Sequence, residues 1–254
     1  MRSKRFILGL TLALACGLAL PLGAQAGEYG GGGYFTPTII RLDLSSLNAE
    51  LAKYNYPKLG DTVTALGGGG YALIDRLLIG GEGGGFTATA ANNQYSTSLE
   101  GGYGLFRVGY VVHSTERFRL YPSVGLGGGG ATLRLRDLNR TAPALDNALN
   151  QPTEVAYSTG SWLIDLGVGA DYLLGGSACS TVQQSEAKDA QAEDENGSSG
   201  CGGWVVGLRL GYLRSLGQKQ WEMGGKPAPS LPSFGIDGPY IRLTIGGGGW
   251  VRSE

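Results

Sequence analysis

Long apolar runs, histidine, sulfur and charge are all scarce in this chain of 254 residues. Past residue 26 no stretch stays apolar for about 18 residues, which excludes a helical membrane protein. One histidine and the two cysteines past residue 26 cannot assemble a conventional zinc site, and no metal or other cofactor is expected. Charged residues make up 16%, and 20 Lys+Arg against 21 Asp+Glu leave a net charge of −1. That balance is not the electrostatic footprint of a nucleic-acid binder, so no nucleic-acid partner is expected. Proline is held to 10 residues and the 47 glycines keep no Gly-X-Y period, which excludes collagen. A hydrophobic share of 42%, with 13 Tyr, 6 Phe and 4 Trp, excludes wholesale disorder.

What is present begins with an address. Arg2, Lys4 and Arg5 form a basic start, Phe6 to Leu22 is a short apolar core broken at Pro21, and Ala24 and Ala26 occupy the positions a signal peptidase reads. Residues 1–26 are therefore expected to be a cleaved signal peptide, and 27–254 a single domain of net charge about −4. Two cysteines remain, Cys179 and Cys201, and an isolated pair in an oxidising compartment is expected to bond.

The domain alternates with period two. Trp162, Ile164, Leu166, Val168, Ala170, Tyr172 and Leu174 share one face, opposite Leu163, Asp165, Gly167, Gly169, Asp171 and Leu173. Trp204 to Leu213 repeats the plan, with Trp204, Val206, Leu208, Leu210 and Tyr212 on the apolar side. Between Gly102 and Val112, Phe106, Val108 and Tyr110 oppose Leu105, Arg107 and Gly109. A soluble sandwich turns its large apolar side chains inward and its charges to water. Glycine-lined faces with a few charges instead suit a narrow interior, with the large apolar side chains outside.

Eight such segments run roughly over 33–44, 62–75, 76–88, 95–112, 118–136, 158–174, 203–216 and 238–250. An even number closes an antiparallel barrel with both termini at one end, and about eight strands leave an interior filled by side chains. A hairpin within 137–157 or 217–237 would raise the count to ten. With a periplasmic N-terminus, the inner turns are Asp75-Arg76, His113–Arg117 and a long 175–202 connection. The outward loops are then 45–61, 89–94, 137–157 and 217–237. Asn48 to Lys53 is predicted helical, with a capping residue before it. The acidic, Ser/Gln/Ala-rich stretch within 176–202 reads as a flexible excursion closed at its base by Cys179–Cys201.

With its signal peptide, its strand count and an alternation rimmed by Trp162, Tyr172, Trp204 and Tyr212, the chain resembles the small outer-membrane β-barrel superfamily, the eight-stranded OmpA/OmpX-like class. The resemblance covers about residues 28–250 and implies an all-β, closed, antiparallel up-and-down transmembrane barrel in the bacterial outer membrane. It also implies outer-membrane lipid and the barrel-assembly machinery as partners, with those four aromatics at the membrane interfaces. Trp250 stands where such barrels carry a terminal aromatic, followed here by four further residues.

Candidate chemistry is sparse. The glycine blocks at 30–33, 67–70, 83–85, 127–130 and 246–249 fit neither phosphate-loop pattern and are expected to lie within strands as a belt easing curvature and close approach. Arg41, Asp43, Glu82, Arg107, Arg119, Asp165, Asp171, Arg209 and Arg242 fall on the inferred interior parity and are expected to form a paired network. A proton or ion path is the alternative use of the same charges. His113 and Ser114 supply residue types a hydrolase needs, but as sequence neighbours in a turn they point apart. No catalytic residue is expected.

The leading reading is a non-enzymatic barrel with a structural, adhesion or envelope-integrity role, meeting an external ligand or surface through its outward loops. A narrow channel for small or hydrophobic solutes is the second. A soluble periplasmic barrel binding an apolar ligand is the third, and a lipid-modifying barrel enzyme the fourth.

Overall fold

Alternation becomes strands, and the strands close. The structure, a computed structural model, describes residues 28–139, 154–175, 202–217 and 220–252. In chain order the elements are β1 (Glu28–Arg41), α1 (Ser45–Lys53), β2 (Thr62–Asp75), β3 (Leu77–Ala91), β4 (Tyr95–Tyr110) and β5 (His113–Ser114). There follow β6 (Phe118–Asp137), β7 (Glu154–Leu174), β8 (Gly203–Leu216), β9 (Trp221–Met223), β10 (Lys226–Ala228) and β11 (Gly238–Arg252). Eight of the strands pair antiparallel in the order β1-β2-β3-β4-β6-β7-β8-β11, and β11 returns to β1, with Gly31 opposite Gly249 and Ile40 opposite Tyr240.

Every segment read from periodicity overlaps one of these eight strands, with ends that differ by up to five residues. The 217–237 loop does contain a hairpin, β9–β10, but its strands pair with the barrel only where Ser158 of β7 meets Glu222. It stands at the rim, so the barrel closes at eight. Asp75, at φ 58, makes the tight turn between β2 and β3, a left-handed conformation that Asp tolerates better than most residues. Both termini of the barrel lie at the end with that turn, and the loops carrying α1 and β9–β10 lie at the other.

The interior is layered along the barrel axis. At the loop end, α1 buries Leu47 and Leu51 against Ile40, Leu42, Leu44, Leu99, Leu133 and Leu213, joined by Trp221, Phe234 and Ile236 from the 217–237 loop. At the terminal end, Leu73, Leu78, Val111, Leu173, Val205 and Trp250 form a second, smaller cluster. Each fully buried Leu or Ile contributes about 1.5–3 kcal/mol, so both ends are firmly packed. Between them lies a charged layer.

The outer wall runs the other way. On β6 the outward positions pass from Val124 and Leu126, about half exposed, through Gly128 and Gly130 to Thr132, Arg134 and Arg136. The inward positions pass from Arg119, Tyr121 and Ser123 through Gly125, Gly127 and Gly129 to Ala131 and Leu133. The strand is thus apolar outside and polar inside near the termini, and the reverse near the loops.

Candidate functional site

Glu82, on the inward face of β3, is the hub of the charged layer. Its Oε1 accepts from Arg107 Nη2 of β4 at 2.6 Å and from Arg242 Nη1 of β11, while its Oε2 accepts from Arg209 Nη1 of β8 at 2.6 Å. Arg107 also pairs with Asp165 of β7 at 2.5 Å and donates to Ser123. Arg242 donates to Thr38 and to the Tyr103 hydroxyl, both at 2.9 Å. Nearer the termini, Arg119 of β6 pairs with Asp171 of β7 at 3.4 Å, donates to the Tyr71 hydroxyl at 2.7 Å, and lies 3.8 Å from the centre of the Trp250 ring. The Tyr121 hydroxyl joins the two groups, donating to Asp171 and accepting from Arg209, both at 3.1 Å. Arg119, Asp165 and Arg242 are wholly buried.

Seven of the nine sequence-derived interior charges therefore come together: Glu82, Arg107, Arg119, Asp165, Asp171, Arg209 and Arg242. Arg41 and Asp43 do not. Both are exposed, because the inward parity of β1 is the even one, carrying Thr36, Thr38, Ile40, Leu42 and Leu44. Arg41 instead pairs with Asp61 on the outer rim at 3.2 Å. Asp43 accepts from both the backbone N–H and the hydroxyl of Ser45 at the start of α1, which holds its carboxyl below the usual range. The parity of β1 was misread because Thr36 and Thr38 look no more interior than Ile39 and Arg41, and because the loop-end interior is apolar.

Trp162, Tyr172, Trp204 and Tyr212 all face outward, with exposures of 63, 44, 66 and 40%. Trp250 does not. It is inward and 7% exposed, with its indole N–H directed to the Thr115 carbonyl. Turned inward, its ring lies over the buried Arg119 guanidinium in a cation–π contact. Ser114 donates to Glu28 at 3.0 Å, and His113 packs towards Phe118. Cys179, Cys201, residues 1–26 and all but Gly202 of the 176–202 excursion lie outside the described residues.

Sequence reasoning missed the inward tyrosines. Tyr71 and Tyr103 each accept from an arginine and Tyr121 bridges Asp171 and Arg209, and Tyr103 and Tyr121 share parity with Arg107 and Arg119 on their own strands, so the signal was present. The register of the glycines was also hidden. Gly31, Gly32 and Gly33 face Gly249, Gly248 and Gly247; Gly68 faces Gly83; Gly83 faces Gly104; Gly102 faces Gly130; Gly130 faces Gly160. The blocks form one hydrogen-bonded band across seven strands. At its inward positions a Cβ would strike the neighbouring strand: at Gly246 it would lie 2.6 Å from the Tyr34 Cα, and at Gly127 2.8 Å from the Leu105 Cα. At outward Gly104 and Gly247 nothing lies within 4 Å.

Two small cavities of about 10 and 20 Å³ lie in the charged layer among the described residues, both lined by Tyr34, Tyr71, Tyr121, Asp171 and Arg209.

No family model matches the sequence, and no curated protein sequence matches it. Among solved structures, Ail, the attachment invasion locus protein of Yersinia pestis, matches with 10% identity and a TM-score of 0.41, over 89% of this chain and 99% of that one. The outer membrane protein OprG from Pseudomonas aeruginosa matches with 13% identity and a TM-score of 0.37, over 91% and 99%. The outer membrane protein AlkL matches with 15% identity and a TM-score of 0.36, over 92% and 94%.

Proposed function

We propose that this chain is a closed outer-membrane barrel that acts through its loop end, in an adhesive or envelope-integrity role, and not through its interior. The observation that carries this reading is the filled interior. An apolar plug, an ion network and a tryptophan-capped cluster succeed one another along the axis. The two cavities each have room for about one water molecule, far too little for a solute path.

The outer wall supports the membrane setting. Trp162 and Tyr172 bound an apolar outward face on β7. Ten residues at about 3.3 Å each, tilted by about 40°, cover about 25 Å, the usual height of a barrel's lipid-facing band. Tyr29 and Ile39 on β1, each 52% exposed, have the same spacing. So large an apolar belt would make a water-soluble barrel aggregate. Export through residues 1–26, insertion by barrel-assembly machinery and a Cys179–Cys201 bridge belong to the same proposal. The enzyme reading has little support, since the Ser114 hydroxyl is committed to Glu28.

Membrane fractionation with a heat-shift gel tests the setting: recovery only with detergent, and migration that changes on boiling, are expected. Recovery in the soluble periplasmic fraction would overturn it. In planar bilayers the purified barrel should give no stepwise conductance, and exchange of the 217–237 loop should abolish surface attachment. Steady conductance would instead favour the channel.

A further inference from the structure

Besides the β9–β10 hairpin, the loop end carries a surface of aromatic and amide side chains. Residues 54–57 follow α1 and residues 92–94 turn β3 into β4, with no charged residue in either stretch. The two are joined. The Asn92 side-chain amide donates to the Asn55 carbonyl at 3.0 Å, and its oxygen accepts from the N–H groups of Gln94 and Tyr95 at 2.9 and 2.7 Å. The Tyr56 and Tyr95 rings lie 4.5 Å apart at their centres. Leu138, just past β6, donates its N–H to the Gln94 carbonyl at 2.7 Å.

This frame leaves four side chains free to make contacts. Tyr54 is 65% exposed, and Asn55, Asn93 and Gln94 are exposed without a side-chain hydrogen bond among the described residues. The charges around them are matched. Lys53 pairs with Glu50 at 2.6 Å, and Arg134 pairs with Glu100 and Glu154. Lys58, next in the chain after residues 54–57, and Asp137, opposite Tyr95 on β6, carry opposite signs.

A tyrosine ring offers an apolar face with a hydroxyl at its edge, and each primary amide offers two donors and an acceptor. Sugars present the matching features: patches of C–H, and hydroxyls that both donate and accept. An ionic partner would find no net counter-charge here, and a strongly apolar one would find no large buried anchor. The joined loops hold the backbone in place before contact, which lowers the ordering cost of binding.

We propose that this surface binds a neutral oligosaccharide, with a C–H face on Tyr54 and its hydroxyls bonded by the amides of Asn55, Asn93 and Gln94. It rests on the loop-end role proposed above and gives that end a ligand class. The site is separate from the 217–237 loop, and attachment to a surface needs both.

The test passes the purified barrel in detergent over immobilised neutral oligosaccharides of glucose, mannose, galactose or N-acetylglucosamine, with heparin as the anionic comparison. At least one neutral chain should bind saturably and more tightly than heparin. Tyr54→Ala and Gln94→Ala should each weaken that binding by about 3–10-fold, and Met223→Ala on β9 should leave it unchanged. All three side chains are exposed, so the heat-shift midpoint should not move. Three outcomes would overturn the site: no neutral chain bound, a bound chain indifferent to Tyr54→Ala and Gln94→Ala, or heparin preferred. None of these touches the loop-end role, which fails instead on recovery in the soluble fraction or on attachment that survives exchange of 217–237.

Discussion

Replacing Glu82 with glutamine tests the charged layer most directly. The side chain keeps its shape and can still accept through one oxygen, but the negative charge shared by Arg107, Arg209 and Arg242 is gone. Glu82 is 7% exposed and its three partners at most 6%, so water cannot rescue the stranded guanidiniums. Removing one partner of a buried ion pair costs about 3–5 kcal/mol. With three cations relying on one carboxylate, the upper half of that range is expected. For a barrel of this size each kcal/mol moves the midpoint by about 2–4 °C, so Glu82→Gln should lower the heat-shift transition by about 8–20 °C.

The control is Arg41→Gln. The Arg41–Asp61 pair has side chains 72% and 52% exposed, and such surface pairs contribute about 0–1 kcal/mol. The two variants remove one charge each, a buried carboxylate inside the wall and an exposed guanidinium outside it. If Glu82→Gln melts within about 1 kcal/mol of the parent, or no lower than Arg41→Gln, the charged layer is not a structural centre of the barrel.

The glycine band gives a paired test. Gly246→Ala and Gly127→Ala place a Cβ against a neighbouring backbone and should leave little heat-modifiable barrel on refolding, whereas Gly104→Ala and Gly247→Ala meet open space and should refold as well as the parent. Trp250→Ala removes the ring over Arg119 and should cost about 3–5 kcal/mol in urea unfolding; a loss below 1 kcal/mol would mean that the ring does not seal that end. The reversal along β6 is read by labelling intact cells with a water-soluble maleimide, with Cys179 and Cys201 replaced by serine. Arg134→Cys and Arg136→Cys should react, and Val124→Cys and Leu126→Cys should be shielded; uniform labelling would refute the reversal.

Much of the fold was legible because β4, β6, β7 and β8 put large apolar side chains on one parity and glycine or charge on the other. Trp162 to Leu174 needed no partner to declare its outer face. β1 was not legible in the same way. Its two faces, Tyr29-Phe35-Ile39-Arg41 and Thr36-Thr38-Ile40-Leu42, carry similar apolar content, and α1 folds over the second of them, which only tertiary structure reveals. The interior charges were found by parity, but their arrangement was not. That Glu82 gathers arginines from β4, β8 and β11 depends on register around a closed barrel, with separations of up to 160 residues along the chain. Trp250 misled for a related reason: position near the end of the last strand says nothing about which way an aromatic turns.

The strands are also longer than a membrane requires, and their patterning explains the excess. A barrel strand crosses in about 9–11 residues, yet β6 has 20 and β7 has 21. The surplus lies at the loop end, where Glu100, Arg134 and Glu154 form an outward ion-pair cluster and Leu99, Leu133 and Leu163 point inward. That is the rule of a water-soluble barrel, while the terminal half follows the rule of a lipid-facing one. On β4, β6 and β7 the outward glycines fall between the two regimes, at Gly102 and Gly104, Gly128 and Gly130, and Gly160. On β1 and β2 the band lies lower, within the apolar belt, because it follows the hydrogen-bond direction across tilted strands. The glycines therefore trace the register of the barrel and not a fixed depth, and their abundance follows from the steric closeness of the inward wall along that line.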